Sequence, residues 1–393
     1  MNIRSITIFI PSANDISSLG IFNREARAAF ESEGLPVQTV RIATPPFPSM
    51  VEKPKFAVNL ARDVETKIRE VGIDYASLGP GTGAWIDGIT DMLAATETIF
   101  ASSIIAKGRT GIDLAAIRQT AAVIQRVSTI SPDGFGNLRM GALCNVPPGA
   151  PFFPAAYHDG GSPAFAIATE AADLAVSAFE LSQTPEKARR NLIRAIESYA
   201  EKIVSAAGAL AHAHHIRFAG IDFSLAPFPR EMRSIGHAIE LLTGRAVGSP
   251  GTLAAAALIT GAIDHAVFPG CGFCGLMLPV LEDAVLAQRA AEGVLTIGDL
   301  LHCSAVCGTG LDTIPLPGDI HEETLAGILH DVAALALRVD KPLTARLMPI
   351  QGKAAGDAVN FDFPWFAGTR VMRVPGDGRK PPGGLFSSPF LHE

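Results

Sequence analysis

Short apolar runs alternate with longer helical patterns at the start of the chain, and no other sequence feature constrains the fold as strongly. The runs have the length of buried strands, and they lie at residues 5–10, 36–43, 75–78, 99–103 and 138–144. Helical periodicity is found between them, at residues 16–32, 56–71 and 112–128. Because strands that alternate with helices form βαβ units, we predict an α/β protein with a largely parallel sheet.

The rest of the chain is predicted to be richer in helix. Helical patterns cover residues 164–181, 185–211, 230–242, 252–266, 282–291 and 322–339. Strands are predicted at residues 218–223, near 343–348 and near 371–374. Since we find no linker that would divide the chain, residues 1–375 are predicted to form one domain. Residues 376–393, which contain Gly-Arg-Lys-Pro-Pro-Gly-Gly, are predicted to be a flexible tail rich in Pro and Gly.

Composition and charge exclude two classes of partner. The formal net charge is −7, and the sequence has no basic stripe of the kind that binds nucleic acid. No run of about 18 apolar residues lacks a polar interruption, so we expect no membrane span. The apolar start of the chain is interrupted by Arg4 and indicates a strand rather than a targeting segment. Five cysteines, an odd number, do not indicate a disulfide framework, and we expect a cytoplasmic protein.

Polar residues next to Gly and Pro occur in loops at the predicted strand–helix junctions, where α/β proteins bind ligands. His158 precedes Asp159 and Gly160, and it could move protons near neutral pH or simply lie in an exposed turn. Asp222 and Ser224 follow a predicted strand, where they could face a pocket or bond to the local backbone. We take His158 as a candidate catalytic residue, and Asp222 and Ser224 as candidates for substrate binding.

The acidic pair Glu282-Asp283 opens a predicted helix. Acidic residues are favoured there by the helix dipole alone. Carboxylate oxygens also suit Mg²⁺, Mn²⁺ or Ca²⁺, so the pair is a candidate site for a divalent metal, and Asp283 is a candidate catalytic residue. Both alternatives stay open, and the cofactor is unknown.

Arg346 lies within an otherwise apolar predicted strand, at residues 343–348. Burying a charge is costly unless it is paired. Arg346 should therefore meet an Asp or Glu side chain, or bind an anionic ligand. We treat it as a candidate substrate-binding residue.

Several segments resemble, in the same order, the domain-of-unknown-function 711 family: IDFSLAPFP, GSPGTLAAAAL, GLMLPVLED, CGTGLDTIPLPGD and TARLMP. The segments IRSITIFI and PFFPAAYH are also similar to the family, and the resemblance covers roughly residues 1–375. It implies a fold like that of pyruvate formate-lyase, a barrel of parallel and antiparallel strands wrapped by helices. It does not imply a reaction, because fold alone does not determine function.

Enzymes of this fold that carry a glycyl radical have a glycine near the C-terminus within an Arg-Val-x-Gly-aromatic motif. The segment Arg373-Val374-Pro375-Gly376 is similar, but Asp377 follows it in place of an aromatic residue. Pro375 would also stiffen this loop, and the chain is shorter than the radical enzymes. We therefore predict a protein without the glycyl radical.

Two cysteine pairs, Cys271-x-x-Cys274 and Cys303-x-x-x-Cys307, have spacings compatible with a structural zinc site. In the family that this chain resembles, only the position of Cys307 regularly carries Cys, which argues against four cysteines acting together. Cys307 could instead be reactive, or all four could be buried as small apolar residues. Gly308 and Gly310 would let the backbone approach a ligand closely, so we take them as candidates for substrate binding and Cys307 as catalytic.

Two classes of function remain. The first is an enzyme, of non-radical lyase or hydrolase type, that acts on a small carboxylate or phosphate through acid–base, metal-assisted or Cys-assisted chemistry. In that case we expect Cys307, Arg346 and Glu282-Asp283 to converge on one cavity. The second is a ligand-binding or zinc-stapled regulatory protein without turnover. We expect a small anionic partner, and we predict a homodimer as the candidate oligomer.

Overall fold

The structure is a computed structural model that describes residues 1–131 and 133–376. Apart from Gly376, the tail predicted at residues 376–393 lies outside the described residues. The strands are β1 (Asn2–Phe9), β2 (Val37–Ala43), β3 (Tyr75–Gly81), β4 (Ile99–Lys107), β5 (Gly111–Ile112), β6 (Met140–Cys144), β7 (Ala164–Glu170), β8 (Arg217–Ala226), β9 (Gly310–Pro317), β10 (Leu343–Ile350), β11 (Ala358–Val359) and β12 (Thr369–Arg370).

The helices are α1 (Gly20–Ser32), α2 (Ala57–Glu70), α3 (Gly88–Ala94), α4 (Leu114–Val127), α5 (Ala172–Glu180), α6 (Pro185–His214), α7 (Ile235–Thr243), α8 (Thr252–His265), α9 (Ala284–Ala291), α10 (Ile297–Ser304) and α11 (Glu322–Arg338). Within the part of the chain that the structure describes, no helix is both long enough and apolar enough to cross a membrane.

Ten strands form one mixed sheet, in the order β8-β7-β1-β2-β3-β4-β6-β10-β9, with β5 paired to β4. Strands β1, β2, β3, β4 and β6 make a continuous parallel block. Strands β7 and β10 run antiparallel to the two sides of this block, and each carries an outer strand parallel to itself. The predicted α/β class with a largely parallel sheet is therefore confirmed.

The two faces of the sheet are covered by different kinds of structure. Ile6 and Ile8 of β1 belong to the main hydrophobic core, together with helix residues such as Phe22 of α1. Phe9 of the same strand packs instead with Phe153, which lies in the irregular segment between β6 and β7. A cavity lies between the irregular segments and this second face of the sheet.

One irregular stretch, residues 269–280, contacts both outer strands of the sheet, and we call it the bridging segment. Gly270 forms a parallel bridge with Ile221 of β8, and Pro279 forms one with Asp312 of β9. Strands β8 and β9 are the two ends of the strand order. The bridging segment therefore connects the two edges of the sheet by backbone hydrogen bonds.

The helix predicted at residues 164–181 is wrong in its first part. The structure has strand β7 there, and helix α5 begins only at Ala172. The run is rich in Ala, which favours helix when only local propensity is considered. However, β7 lies between β1 and β8 in the sheet and most of its residues are buried. Pairing on both sides and burial outweigh the local preference for helix.

The other differences lie in the last third of the chain. Strand β9 and helix α10 lie where the sequence pattern predicts neither a helix nor a strand, because their surroundings are rich in Gly and Pro. The strand predicted near residues 371–374 is wrong, because β12 ends at Arg370 and Met372 donates its backbone N–H to Pro315 over 2.9 Å. Helices α6, α8 and α11 match their predicted positions within a few residues.

The close contact between Gly308 and the bridging segment gives a first prediction. A Cβ atom on Gly308 would lie 2.8 Å from the Cα atom of Gly275, so backbone would have to move. We expect Gly308→Ala to lower the free energy of unfolding by about 1–3 kcal/mol in urea denaturation, as overpacking usually does. Gly327→Ala is the matched control, since a Cβ there meets open space within α11. The control should gain about 0.5–1 kcal/mol; a Gly308→Ala protein as stable as the wild type would contradict the contact.

Candidate functional site

A cavity of about 90 Å³ lies on the sheet face that the irregular segments cover. Four parallel strands contribute residues to its wall: Arg4 of β1, Thr39 and Arg41 of β2, Tyr75 of β3 and Phe100 of β4. Arg41 lies in the middle of its strand, and the other four residues lie in the first half of theirs. Arg41 of β2 and Tyr75 of β3 are register partners, so their side chains leave the sheet side by side. The cavity thus lies away from the carboxyl ends of the strands, where α/β proteins usually bind ligands.

Six charged side chains of alternating sign form an ion-pair chain beside the cavity: Arg233, Glu170, Arg4, Glu282, Arg346 and Asp312. Nε of Arg346 donates to Oδ1 of Asp312 over 2.6 Å, and its Nη2 donates to Oε1 of Glu282 over 2.9 Å. Arg4 donates to the other oxygen of Glu282 and lies 3.6 Å from Glu170. In this arrangement each charged side chain contacts at least one side chain of opposite charge. Buried charges require such pairing because they have lost their contact with water.

Arg346 is only 5% exposed, and its charge is stabilised by its partners. Burial opposes the charged form, but Asp312 and Glu282 raise the pKa of Arg346 above its ordinary value. Burial raises the pKa of Asp312 as well, and Oδ2 of this side chain has no hydrogen-bond partner among the described residues. Arg346 therefore meets carboxylates, one of the two environments that its sequence position predicts.

Arg41 has a different environment from Arg346. Its Nε donates to the hydroxyl of Thr39 over 2.8 Å, while no carboxylate in the described part of the chain pairs with its guanidinium group. The guanidinium carbon lies 5.0 Å from the ring centre of Phe153 and 5.9 Å from that of Tyr75. Burial, followed by the nearby cation of Arg4, lowers the pKa of Arg41 to about 10. The carboxylates of Glu282 and Asp74 oppose this fall in the pKa, but neither forms an ion pair with Arg41.

Six aromatic side chains form much of the cavity wall: Tyr75, Phe100, Phe152, Phe153, Phe363 and Trp365. The ring centre of Phe100 lies 5.4 Å from that of Tyr75 and 5.3 Å from that of Phe153, and both pairs meet edge to face. Phe363 and Trp365 are 5.0 Å apart and tilted. An apolar wall with a few convergent polar groups is the usual composition of a small-molecule site.

The two carboxylates of Glu282-Asp283 have separate surroundings. Glu282 lines the cavity within the ion-pair chain. Asp283 is fully buried and accepts the hydroxyl of Ser234 over 2.5 Å, together with four backbone N–H groups at the starts of α7 and α9. Burial raises the pKa of Asp283, and these hydrogen bonds oppose the rise. Asp283 therefore caps two helices, and the pair does not converge on one ion.

Asp222 and Ser224 hold the bridging segment against β8. Asp222 accepts the backbone N–H groups of Phe273 and Cys274, each over 3.0 Å, as well as the hydroxyl of Ser224. The N–H of Gly275 donates to Ser224 over 3.4 Å. Burial raises the pKa of Asp222, and the same hydrogen bonds oppose the rise. Both side chains thus bind the protein's own backbone, and neither lines the cavity of Arg41.

Cys307 lies at a second cavity of about 400 Å³, which Cys274 and Lys341 also line. Lys341 donates to the carbonyl oxygen of Cys307. The structure therefore brings Arg346 and Glu282 to one cavity and Cys307 to another.

Gly308 and Gly310 serve contacts between backbone segments. The N–H of Gly308 donates to the carbonyl of Leu276 over 2.8 Å. A Cβ atom on Gly310 would collide with the backbone of Thr344 in β10. The absence of a Cβ atom in these glycines therefore lets neighbouring backbone segments of the protein, rather than a ligand, approach them closely.

His158 is buried within its own turn. Its backbone N–H donates to Thr44 over 2.9 Å, and its Nδ1 accepts the N–H of Gly160 over 2.8 Å. In the neutral ring the proton is therefore on Nε2, which faces the carbonyl of Ser162 at 3.3 Å. His158 lines neither of the two cavities.

Within the described residues, no group of three or more His, Cys, Asp or Glu side chains is placed to hold a metal ion. The five cysteines are free thiols. Burial raises the pKa of Cys274 and of Cys303 to about 12, so both are protonated at neutral pH. The structure thus does not assemble Cys271, Cys274, Cys303 and Cys307 into one site.

Arg4 and Arg41 are absent from the residues predicted to form a site, although the sequence carries a signal for both. Arg41 is a charge within the strand predicted at residues 36–43, and Arg4 interrupts the apolar start of the chain directly before the strand predicted at residues 5–10. A charge within an apolar run is also the signal that singles out Arg346. The aromatic wall has no comparable signal, because its residues come from separate strands and loops.

The fold and the cavity define an α/β protein that has an arginine-rich, aromatic-lined site on one face of a mixed sheet. Residues 1–362 match the family model described as "Uncharacterised ACR (DUF711)". The chain is 33% identical to a UPF0210 protein of Pyrobaculum aerophilum over 344 residues, and this alignment covers 82% of the chain and 76% of that protein. It is 29% identical to a UPF0210 protein of Bifidobacterium longum subsp. infantis over 382 residues, and that alignment covers 91% of the chain and 82% of the relative. The chain belongs to the DUF711 (UPF0210) family, which confirms the resemblance of its motifs.

The contrast between Arg346 and Arg41 gives a prediction about stability. Arg346→Met would leave Asp312 and Glu282 without their shared cation, and we expect it to lower the free energy of unfolding by about 3–5 kcal/mol. Arg41→Met removes a cation that has no carboxylate partner, and we expect a change within about 1 kcal/mol. Urea denaturation of both purified variants checks this. An equally large loss in both would mean that Arg41 is also part of a structural ion pair.

Proposed function

We propose that this protein is an enzyme that binds a small anionic substrate, a carboxylate or a phosphate, at the cavity of Arg41. The observation that carries the proposal is the state of Arg41. Its side chain is half-buried, faces a cavity and has no carboxylate ion-paired with it among the described residues. A partly desolvated cation without an ion-pair partner is unfavourable, and an anionic ligand would reduce this cost.

The surroundings of Arg41 support a ligand rather than a missing structural partner. Arg4 and Arg346, the other two arginines of the cavity, are each held by carboxylates. Their charges are therefore compensated, whereas the charge of Arg41 is available. Its two terminal amino groups form a planar fork that matches the two oxygens of a carboxylate or phosphate.

Glu282 is the side chain best placed for acid–base chemistry in this cavity, since it is the carboxylate that lines it together with Arg41. In the proposed reaction Glu282 would accept a proton from the substrate, and Arg41 would hold the substrate's anion. This is the non-radical acid–base class of mechanism. Cys-assisted chemistry receives no support at this cavity, because Cys307 lies at the second one.

A ligand-binding protein without turnover is the second candidate. The observation that favours it is the pairing of Glu282 with both Arg4 and Arg346. A carboxylate between two cations is a weak base, because protonation would cost both ion pairs. Substrate binding at Arg41 is common to both candidates.

We also infer that residues 1–375 form a single barrel-like domain similar to pyruvate formate-lyase. The support is the bridging segment, which makes backbone bridges to β8 and to β9, the two ends of the sheet. A cytoplasmic location is supported by the five free thiols, since a reducing compartment keeps thiols unpaired. The homodimer stays a prediction.

Trp365 offers a direct test, because it lines the cavity while the other tryptophan, Trp85, does not. In a Trp85→Phe background, titration with a panel of small carboxylates and inorganic phosphate should change the fluorescence of Trp365, and calorimetry should give the affinity. Arg41→Gln should weaken binding at least about tenfold, as expected when a charged hydrogen-bonding group is removed. Arg126→Gln is the matched control, since Arg126 pairs with Asp87 on the surface. Equal affinity of the Arg41→Gln and Arg126→Gln proteins for every anion would refute the proposal.

A further inference from the structure

We propose that the ligand of this cavity is a monocarboxylate carried on a flat aromatic or conjugated body, such as an aryl or arylalkenyl carboxylic acid. This inference rests on the proposed function, because it assumes that Arg41 holds the anion. It goes further by assigning the rest of the ligand and by choosing carboxylate over phosphate.

The aromatic wall is the first reason for this choice. The chain contains only 2 Trp, 3 Tyr and 21 Phe, with aromatics making up 7% of its residues. Six of these aromatic residues line one cavity, and they include one Trp and one Tyr. Such a concentration exceeds what the composition would place there by chance, and it indicates a wall selected for ring contacts.

The arrangement of the rings suits a flat body. Tyr75, Phe100 and Phe153 follow one another edge to face, with ring planes at 76° and 63°. These three side chains come from two strands and one covering segment, while Phe363 and Trp365 come from a second covering segment. A flat ligand can offer its ring face or edge to several of them, and aromatic pairs of this kind add about 0.5–1.5 kcal/mol beyond burial.

The charges of the cavity favour a single negative charge. Arg41 is the one cation of the cavity without a carboxylate among the described residues. Glu282 lines the same cavity, so a dianion would be repelled by a nearby carboxylate. A phosphate group would carry close to two charges at neutral pH. A carboxylate carries one, and its two oxygens match the single free fork of Arg41.

Neighbouring polar groups do not add a second binding site for anionic oxygens. The hydroxyl of Thr39 donates to the carbonyl of Arg4 over 2.9 Å and accepts from Arg41. The amide nitrogen of Gln38 donates to Glu170. The polar part of the ligand should therefore be small, because most of the other side chains that line the cavity are apolar.

The test compares probes that differ in one property at a time. In the Trp85→Phe background we would titrate benzoate, trans-cinnamate, cyclohexanecarboxylate, benzamide and inorganic phosphate by calorimetry. Benzoate or cinnamate should bind at least about tenfold tighter than cyclohexanecarboxylate, which has a similar size but no ring face. Benzamide and phosphate should bind at least about tenfold weaker than the aryl carboxylates, and Arg41→Gln should remove the binding of all carboxylates.

A second variant separates the ring contacts from the charge. Phe363→Leu keeps an apolar side chain on the covering segment and does not alter the contacts of Arg41. It should reduce the preference for benzoate over cyclohexanecarboxylate and leave binding of cyclohexanecarboxylate nearly unchanged. Phe100→Leu should act in the same direction, and it serves if Phe363→Leu fails to fold.

The failures of the two proposals can be told apart. Equal affinities for benzoate and cyclohexanecarboxylate, both lost in Arg41→Gln, would overturn the aromatic body and retain the anion site. Phosphate binding tighter than benzoate, with the same dependence on Arg41, would overturn the choice of carboxylate alone. If no probe binds in a way that depends on Arg41, both proposals are wrong.

Discussion

The buried charge of Arg346 is the constraint on which the rest of the site depends. A guanidinium group within an apolar strand must be paired, and Asp312 of β9 and Glu282 supply the two carboxylates. Because Glu282 also accepts a hydrogen bond from Arg4 of β1, the pairing extends from β9 at one edge of the sheet to β1, the third strand from the other edge. The position of Glu282 is thereby fixed at the cavity, and the charge pattern that a ligand meets is fixed with it.

The neighbouring residue Asp283 shows how closely structure and site are joined. Its carboxylate accepts N–H groups at the starts of α7 and α9, so these two helices fix the backbone next to Glu282. The two adjacent carboxylates therefore have different roles: Asp283 caps two helices, and Glu282 lines the cavity. Arg41 is the exception in this otherwise compensated arrangement. A cation without an ion-pair partner, next to arginines that do have one, is the position at which we expect an anionic ligand.

Much of the fold could be predicted from the sequence, because strand length, apolar runs and helix starts are local properties. Helix α6 begins at Pro185, the first residue of the predicted helix, and the hydroxyl of Thr184 before it accepts the N–H of Lys187. A capping residue followed by Pro is a local signal for the start of a helix. Strand β7 could not be predicted in the same way. Its Ala-rich sequence favours helix locally, and only its position between β1 and β8 makes it a strand.

The sequence by itself determined the family and the α/β class. It also showed which arginines lie in or beside apolar strands, where a charge must be paired. This reasoning singled out Arg346, and it applies to Arg4 and Arg41 as well. Only the tertiary structure decided which partner each arginine receives, and it separated Glu282 from Asp283 and from Cys307. The reason is physical: pairing depends on strand order, register and the paths of covering segments, which bring together residues far apart in the chain. Arg41 has no ion-pair partner because none of those paths brings a carboxylate of the described residues into contact with its guanidinium group.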